Sequence, residues 1–235
     1  MSAVPPQLTA QQVLGLDASA LIDREGVGLI HPHAMQPLEH LRERARLAGF
    51  DLQIASGFRD FWRQLAIFNA KASGQRPVID DAGEVLDLQR MSAREQLYAI
   101  LRFSALPGTS RHHWGTDFDV YDAAAMPAGY CLQLTQAECQ PGAMFGNFHQ
   151  WLNTELACGD SGFFRPYQTD TGGVAPEPWH ISYAPEASLY AAHISVELLR
   201  EPLAASDIVL KDVILDLLPT VFERFVVQCQ YRESQ

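Results

Sequence analysis

The chain has 235 residues, 47% of them apolar, and a formal net charge of −11. That length suits one large domain or one domain with an appendage, and that apolar share fills an ordinary core. The negative charge would repel a polyanion, so nucleic acid is not an expected partner, and no apolar run is long enough to span a bilayer.

The first ten residues are polar and contain proline, without the basic-then-apolar order of a secretory signal. The expected compartment is therefore the cytoplasm, or the periplasm if a leader has been removed. Residues 1–30 read as an irregular arm, with one turn of helix over residues 8–12 capped by Thr9. Residues 37–49 predict a helix in which Leu38, Leu41, Ala45 and Ala48 share a face and Gly49 closes the end. Residues 50–55 alternate apolar and polar and predict a half-buried strand. A helix follows to about residue 71, with Phe61, Leu65 and Phe68 on one side; Arg59 and Gln64 lie near its start, where a helix N-terminus favours anions.

Residues 73–88 predict a loop with a small hairpin around residues 81–83. Ser92 and Glu95 form a capping-box pattern for a helix over residues 93–104. Residues 116–121 predict a core strand with Asp117, Asp119 and Tyr121 on one side. A helix over 145–157, an aromatic loop over 162–173 and a strand over 178–183 come next. Helices over 185–199 and 206–227 finish the chain, the second interrupted at Pro219, with Leu210, Ile214, Leu217, Val221 and Phe225 forming a buried stripe. The four cysteines read mostly as packed thiols, though Cys131 and Cys139 have the spacing to bridge in an oxidising compartment.

Between the helix over 93–104 and the core strand, Ser110-Arg111-His112-His113-Trp114-Gly115-Thr116-Asp117-Phe118-Asp119 concentrates titratable and polar groups beside large apolar ones. Burying that polarity is costly unless something binds it. His112 and Asp119, seven apart across a turn at Gly115, are able to converge on one point. They read either as metal ligands or as members of a hydrogen-bond network in which Asp119 pairs with an arginine. His180 favours the metal: two imidazoles and one carboxylate leave a tetrahedral zinc ion one open position for water. Glu177 is a candidate base for that water, or else a solvated loop carboxylate. On a strand, positions i and i+3 do not share a face, so Glu177 and His180 converge only if Pro178 bends the backbone.

Ser110-x-His112-x-x-Gly115-x-x-x-Asp119 followed by Glu177-x-x-His180 resembles the LAS zinc metallopeptidases, which include the D-alanyl-D-alanine carboxypeptidases and dipeptidases of bacterial wall metabolism. Ser56-Gly57-Phe58-Arg59, with Gln64 five residues after the arginine, is similar to the Ser-Gly-Tyr-Arg signature of the vancomycin-resistance Y-type carboxypeptidases. The resemblance covers about residues 50–183. It implies an α+β fold with a central, mostly antiparallel sheet flanked by helices and the zinc in a groove on the sheet. It implies His112, Asp119 and His180 as zinc ligands and Glu177 as general base and acid. Arg59 would stabilise the oxyanion or hold substrate, and Gln64 and Ser110 would shape the substrate pocket; Trp179, beside His180 in sequence, is a separate aromatic candidate for binding substrate.

Asp117 departs from the family, which often has a small apolar residue there. It either adds negative charge beside the zinc or orients His113 or Arg111. Trp114, Phe163, Phe164 and Tyr167 are further candidates for the cleft wall, and His113 reads as a spare, supporting imidazole. The implied division is an N-terminal arm over 1–30, a zinc peptidase domain over 31–185 and a C-terminal helical extension over 186–235, which caps the domain or forms a dimer surface. The implied reaction is zinc-dependent removal of a terminal D-alanine from a peptidoglycan-type peptide. The alternatives are a D-Ala-D-Ala dipeptidase, an L,D-carboxypeptidase or a stem-peptide endopeptidase on the same fold, and a zinc-stabilised binding module without turnover.

Overall fold

A computed structural model describes residues 8–227. The chain opens with the short helix α1 (Ala10–Val13), which Thr9 and Gln12 cap reciprocally. Strands β1 (Ile22–Arg24) and β2 (Gly28–Ile30) then pair as an antiparallel hairpin, where the sequence predicted an irregular arm. Their three-residue length, with all three β1 residues exposed, leaves no alternating pattern to read. Helix α2 (Pro32–Leu47) starts five residues earlier than predicted, with His31 as its N-cap and Pro32 in the first turn, where a missing N–H costs nothing. Strand β3 (Leu52–Ser56) and helix α3 (Phe61–Ala72) follow, the latter capped by Asp60, which accepts from the Arg63 N–H.

The predicted hairpin near residues 81–83 exists as one bridge between Ile79 and Val85. Ser92 and Glu95 form the expected capping box on α4 (Ala93–Leu101). Then come the strand β4 (Asp117–Asp122), the helices α5 (Gln136–Cys139) and α6 (Gly146–Ala157), and β5 (Phe163–Phe164), a two-residue strand inside the predicted loop. Strand β6 (His180–Tyr183) runs directly into α7 (Ala184–His193). The predicted helix over 185–199 breaks at Ile194, and α8 (Val196–Ala205) restarts with Ser195 as its cap. Helix α9 (Lys211–Phe225) is not interrupted at Pro219. The Leu215 carbonyl that the proline leaves without an intrahelical donor accepts from Arg200 Nη1 at 3.4 Å. Cys131, Cys139 and Cys158 are free thiols; Cys131 and Cys158 are exposed and Cys139 is half-buried rather than packed, and the alternative Cys131–Cys139 bridge is absent; Cys229 lies outside the described residues.

The central sheet is antiparallel with strand order β3-β4-β6-β5. Strand alternation divides its two faces. Phe118 and Val120 of β4 and Ile181 of β6 join a core with Leu38 and Leu41 of α2 and Phe148 and Leu152 of α6. Asp117 and Asp119 necessarily point the other way. A second core joins α3, α4, α8 and α9 through Phe61, Phe68, Leu97, Ile100, Leu199, Ile214 and Leu218. Truncating one of the fully buried phenylalanines to alanine would cost about 3–5 kcal/mol. Among the described residues, no helix is long and apolar enough to cross a membrane.

Candidate metal centre

Residues Arg111–Trp114 coil into one 3-10 turn that ends at Gly115 with φ +65°. A Cβ at Gly115 would sit 2.9 Å from the His31 backbone nitrogen, so both the left-handed backbone and the close approach require glycine. The reversal lays His112 over the start of β4, with Nε2 3.4 Å from Asp119 Oδ2. Sheet register supplies the next partner: Asp119 stands directly opposite His180 across β4 and β6. Glu177 arrives by a tight turn. The His180 N–H donates to the Glu177 carbonyl at 3.1 Å, with Pro178 and Trp179 at the corner. The predicted bend at Pro178 is therefore real, and it brings Glu177 Oε2 to 3.4 Å from His180 Nδ1.

The donor atoms of His112, Asp119 and His180 all lie within 4.8 Å of one another, and all three residues are buried. Their hydrogen bonds fix which nitrogens face inward. His112 Nδ1 lies 2.8 Å from the Gly57 carbonyl, which only accepts, so Nδ1 carries the proton and Nε2 offers its lone pair. His180 Nε2 donates to Asp117 Oδ1 at 3.0 Å, leaving Nδ1 toward Asp119 Oδ1 at 3.2 Å and Glu177. A backbone carbonyl behind one imidazole and a carboxylate behind the other are the supports that metal-bound histidines use.

Electrostatics point the same way. Burial and then Arg59 hold His112 below the ordinary imidazole pKa, keeping it neutral, as a ligand must be. Burial favours protonation of Asp119, but His112 and His180 outweigh it and keep the carboxylate ionised. Burial also opposes charge on His180, yet hydrogen bonds to Asp117, Asp119 and Glu177 raise its pKa well above the usual value. The carboxylates here call for positive charge, and a divalent cation supplies it with both imidazoles neutral. Asp119 Oδ1 is also buried, and the group facing it is His180 Nδ1 at 3.2 Å, a nitrogen that offers a lone pair once its ring proton sits on Nε2. Two neutral nitrogens and one carboxylate oxygen fit Zn2+ with a coordination position left open.

Asp117 is fully buried and accepts from Arg111 Nε at 2.8 Å, from Thr116 Oγ1 at 2.6 Å and from His180. Burial alone would raise its pKa; Arg111 and these hydrogen bonds hold it well below the usual carboxylate range. Of the roles the sequence left open, Asp117 thus pairs with Arg111 and orients His180 rather than His113. The His113 ring instead accepts from the Gly108 N–H at Nε2 and donates from Nδ1 to the Arg59 carbonyl. Burial drives its pKa down to about 3, the behaviour of a neutral structural imidazole.

The Arg59 N–H donates to the His112 carbonyl at 3.1 Å, so its backbone is tied to the motif from both sides. Arg59 Nε is buried without a hydrogen-bond partner, and its charge reaches His112. Gln64 is buried, donates to the Ala105 carbonyl at 2.7 Å and leaves Oε1 without a partner. Ser110 is buried at the start of the 3-10 turn, where its side chain makes no cap bond. Trp179 is 7% exposed, and its carbonyl accepts from the Val120 N–H. The other aromatic candidates separate. Trp114 stacks on Tyr190 and donates to the Val13 carbonyl, and Phe163 lies in the core under the sheet. Phe164 sits against the Arg111 guanidinium. Tyr167 sets its ring against His180, with centroids 4.9 Å apart.

Sequence reasoning missed Lys71. Burial lowers its pKa, while the nearby Glu177 raises it and Arg59 and Arg76 add to the lowering. Its ammonium donates to the Phe103 carbonyl at 3.4 Å. It lies on the same face of α3 as Gln64, seven residues on, a spacing that could have flagged it.

A family model described as VanY, D-alanyl-D-alanine carboxypeptidase, matches residues 28–186. A protein of Haemophilus influenzae described as uncharacterized is 33% identical over 124 residues, covering 52% of this chain and 93% of that one. Among solved structures, VanYB in complex with D-alanine-D-alanine is 20% identical with a TM-score of 0.51, over 80% of this chain and 89% of that one. The LdcB LD-carboxypeptidase is 21% identical with a TM-score of 0.50, over 88% of this chain and 78% of that one. At those identities the two structures speak to the fold, which they share: an antiparallel sheet with helices packed around it.

Proposed function

The chain belongs to the VanY family of D-alanyl-D-alanine carboxypeptidases, and from that premise we propose that it removes the terminal D-alanine from peptidoglycan-type peptides, with His112, Asp119 and His180 holding Zn2+. The observation that carries this reading is the convergence of those three residues within 4.8 Å, with Glu177 3.4 Å from His180. Bound zinc supplies Lewis acidity: it polarises a carbonyl and brings the pKa of water to about 7.

The chain's own residues do the rest. Glu177 accepts the proton of the attacking water at a carboxylate oxygen and delivers it to the departing amine nitrogen. Its short turn keeps that carboxylate beside the ligand set through both transfers. Arg59 contributes a guanidinium whose Nε lacks a protein partner, suited to the negative charge that grows on the scissile carbonyl oxygen. Gln64 presents its free Oε1 to a peptide N–H. Lys71 and Arg59 together place positive charge near Glu177, matching a substrate that ends in a carboxylate. Ser110, Trp179 and Tyr167 shape the pocket around His180.

The test is D-alanine release from a pentapeptide, followed with the purified chain before and after complete chelation and after zinc is restored. Loss on chelation and recovery with zinc are expected; unchanged release from the metal-free protein would refute the proposal. Running a tetrapeptide and the free dipeptide in parallel separates terminal D-alanine removal from L,D-cleavage and from dipeptidase activity.

A further inference from the structure

A second cluster of ligand-type side chains stands apart from this centre. His31 and His33 flank the start of α2, and Glu186 lies in the first turn of α7. Their donor atoms also lie within 4.8 Å of one another. His33 Nδ1 is 2.5 Å from Glu186 Oε1, and His31 Nε2 is 3.7 Å from Glu186 Oε2. We propose that His31, His33 and Glu186 form a second divalent-metal site, of the zinc-binding class, that fastens α2 to α7 behind the Gly115 turn.

Three observations support it. First, His31 and Glu186 are largely enclosed while the His33 side chain is 71% exposed, so an ion reaches the cluster from solvent and water completes its coordination. Second, His31 is held rigidly: its N–H donates to the Gly115 carbonyl at 2.9 Å, and its ring packs edge-on against Tyr190, which in turn stacks on Trp114. Third, two imidazoles and a carboxylate favour zinc or nickel over the hard cations magnesium and calcium, which take all-oxygen sites. Coordination through His31 Nε2 puts the ring proton on Nδ1. The cost is the long 3.4 Å contact from the His33 N–H, a weak cap bond. The proton now shared between His33 and Glu186 is exchanged for the ion.

The consequence is mechanical. Gly115 separates two proposed ligands of the first centre, and α7 begins immediately after the strand carrying the third. An ion here braces the backbone on both sides of the first centre without touching its donor atoms.

Equilibrium dialysis of the full-length protein against buffered free zinc, followed by elemental analysis, tests the proposal. The wild type should bind one more zinc per chain than His33→Ala, and one more than Glu186→Gln. His180→Ala should still bind one, with zinc raising its Tm, and adding His33→Ala should remove both the ion and the shift. The exposure of His33 makes that variant safe to fold. Wild-type stoichiometry in both His33→Ala and Glu186→Gln, or no zinc on a folded His180→Ala protein, would overturn the proposal. Failure of the first site would look different: His180→Ala would then match the wild type, while His33→Ala still lost its ion.

Discussion

His180 Nε2 lies 3.0 Å from Asp117 Oδ1, and that contact decides which edge of the imidazole faces the cleft. Because the carboxylate accepts a hydrogen bond from the Nε2–H, Nδ1 is the nitrogen left for a metal. Asp117 is held in turn by Arg111 and Thr116, so the orientation of one proposed ligand depends on a chain of buried polar contacts beneath it.

Asp117→Asn removes the charge while keeping the shape. An amide can turn its NH2 toward His180 and favour the wrong tautomer. Zinc affinity, measured by competition with a chelating dye, should fall about 10–100-fold, the usual effect of losing such a supporting carboxylate. Affinity equal to the wild type would show that Asp117 serves only Arg111.

Glu177→Gln should keep the metal and lose hydrolysis. The amide matches the carboxylate in size but cannot accept the proton of water. Turnover of a D-alanine-terminated peptide should drop about 10²–10⁴-fold with zinc content unchanged. Near-normal turnover would remove Glu177 from proton transfer.

Gly115→Ala tests the turn. The φ of +65° penalises any Cβ by about 1–2 kcal/mol, and the contact with the His31 backbone nitrogen adds to that. The variant should melt at lower temperature and bind zinc more weakly, because the turn sets the distance between His112 and Asp119. An unchanged Tm would mean that the backbone yields at His31 without cost.

His149 links stability to pH. Burial and then Arg165 lower its pKa from 6.5 to about 3 in the folded chain. Between those values the unfolded chain binds a proton that the folded chain excludes. Its contribution is therefore present above about pH 6.5 and is lost as pH falls toward 3, by up to about 1.4 kcal/mol per pH unit. Urea titrations across that range should show a steeper loss in the wild type than in His149→Phe, which cannot titrate; parallel curves would exclude His149 as the cause.

Much of the centre was legible because its signals are local. The turn at Gly115 lets His112 and Asp119 converge, the resemblance to the zinc peptidases implies that they and His180 are ligands, and Pro178 offers the bend by which Glu177 can reach His180. What escaped depends on contacts between distant segments. Tyr167 is one of several aromatic candidates for the cleft wall, and its contact with His180 follows from the pairing of β5 with β6 rather than from any local pattern; Lys71 approaches Glu177 only once α3 has docked. Pro219 reads as a helix breaker, yet Arg200 of α8 satisfies the carbonyl it strands, and no local pattern in α9 carries that information. The β1–β2 hairpin escaped for the opposite reason: with three residues per strand, it has too few positions for alternation to register.

The turn from Glu177 to His180 joins a proposed base and a proposed ligand through only two intervening residues. They therefore cannot drift apart independently. Lengthening the surrounding loops can alter which peptides enter, but inserting a single residue at Pro178 or Trp179 would uncouple the two groups. Diversification of substrate choice in such a scaffold is thus free to proceed on either side of this four-residue hinge pin, and is barred within it.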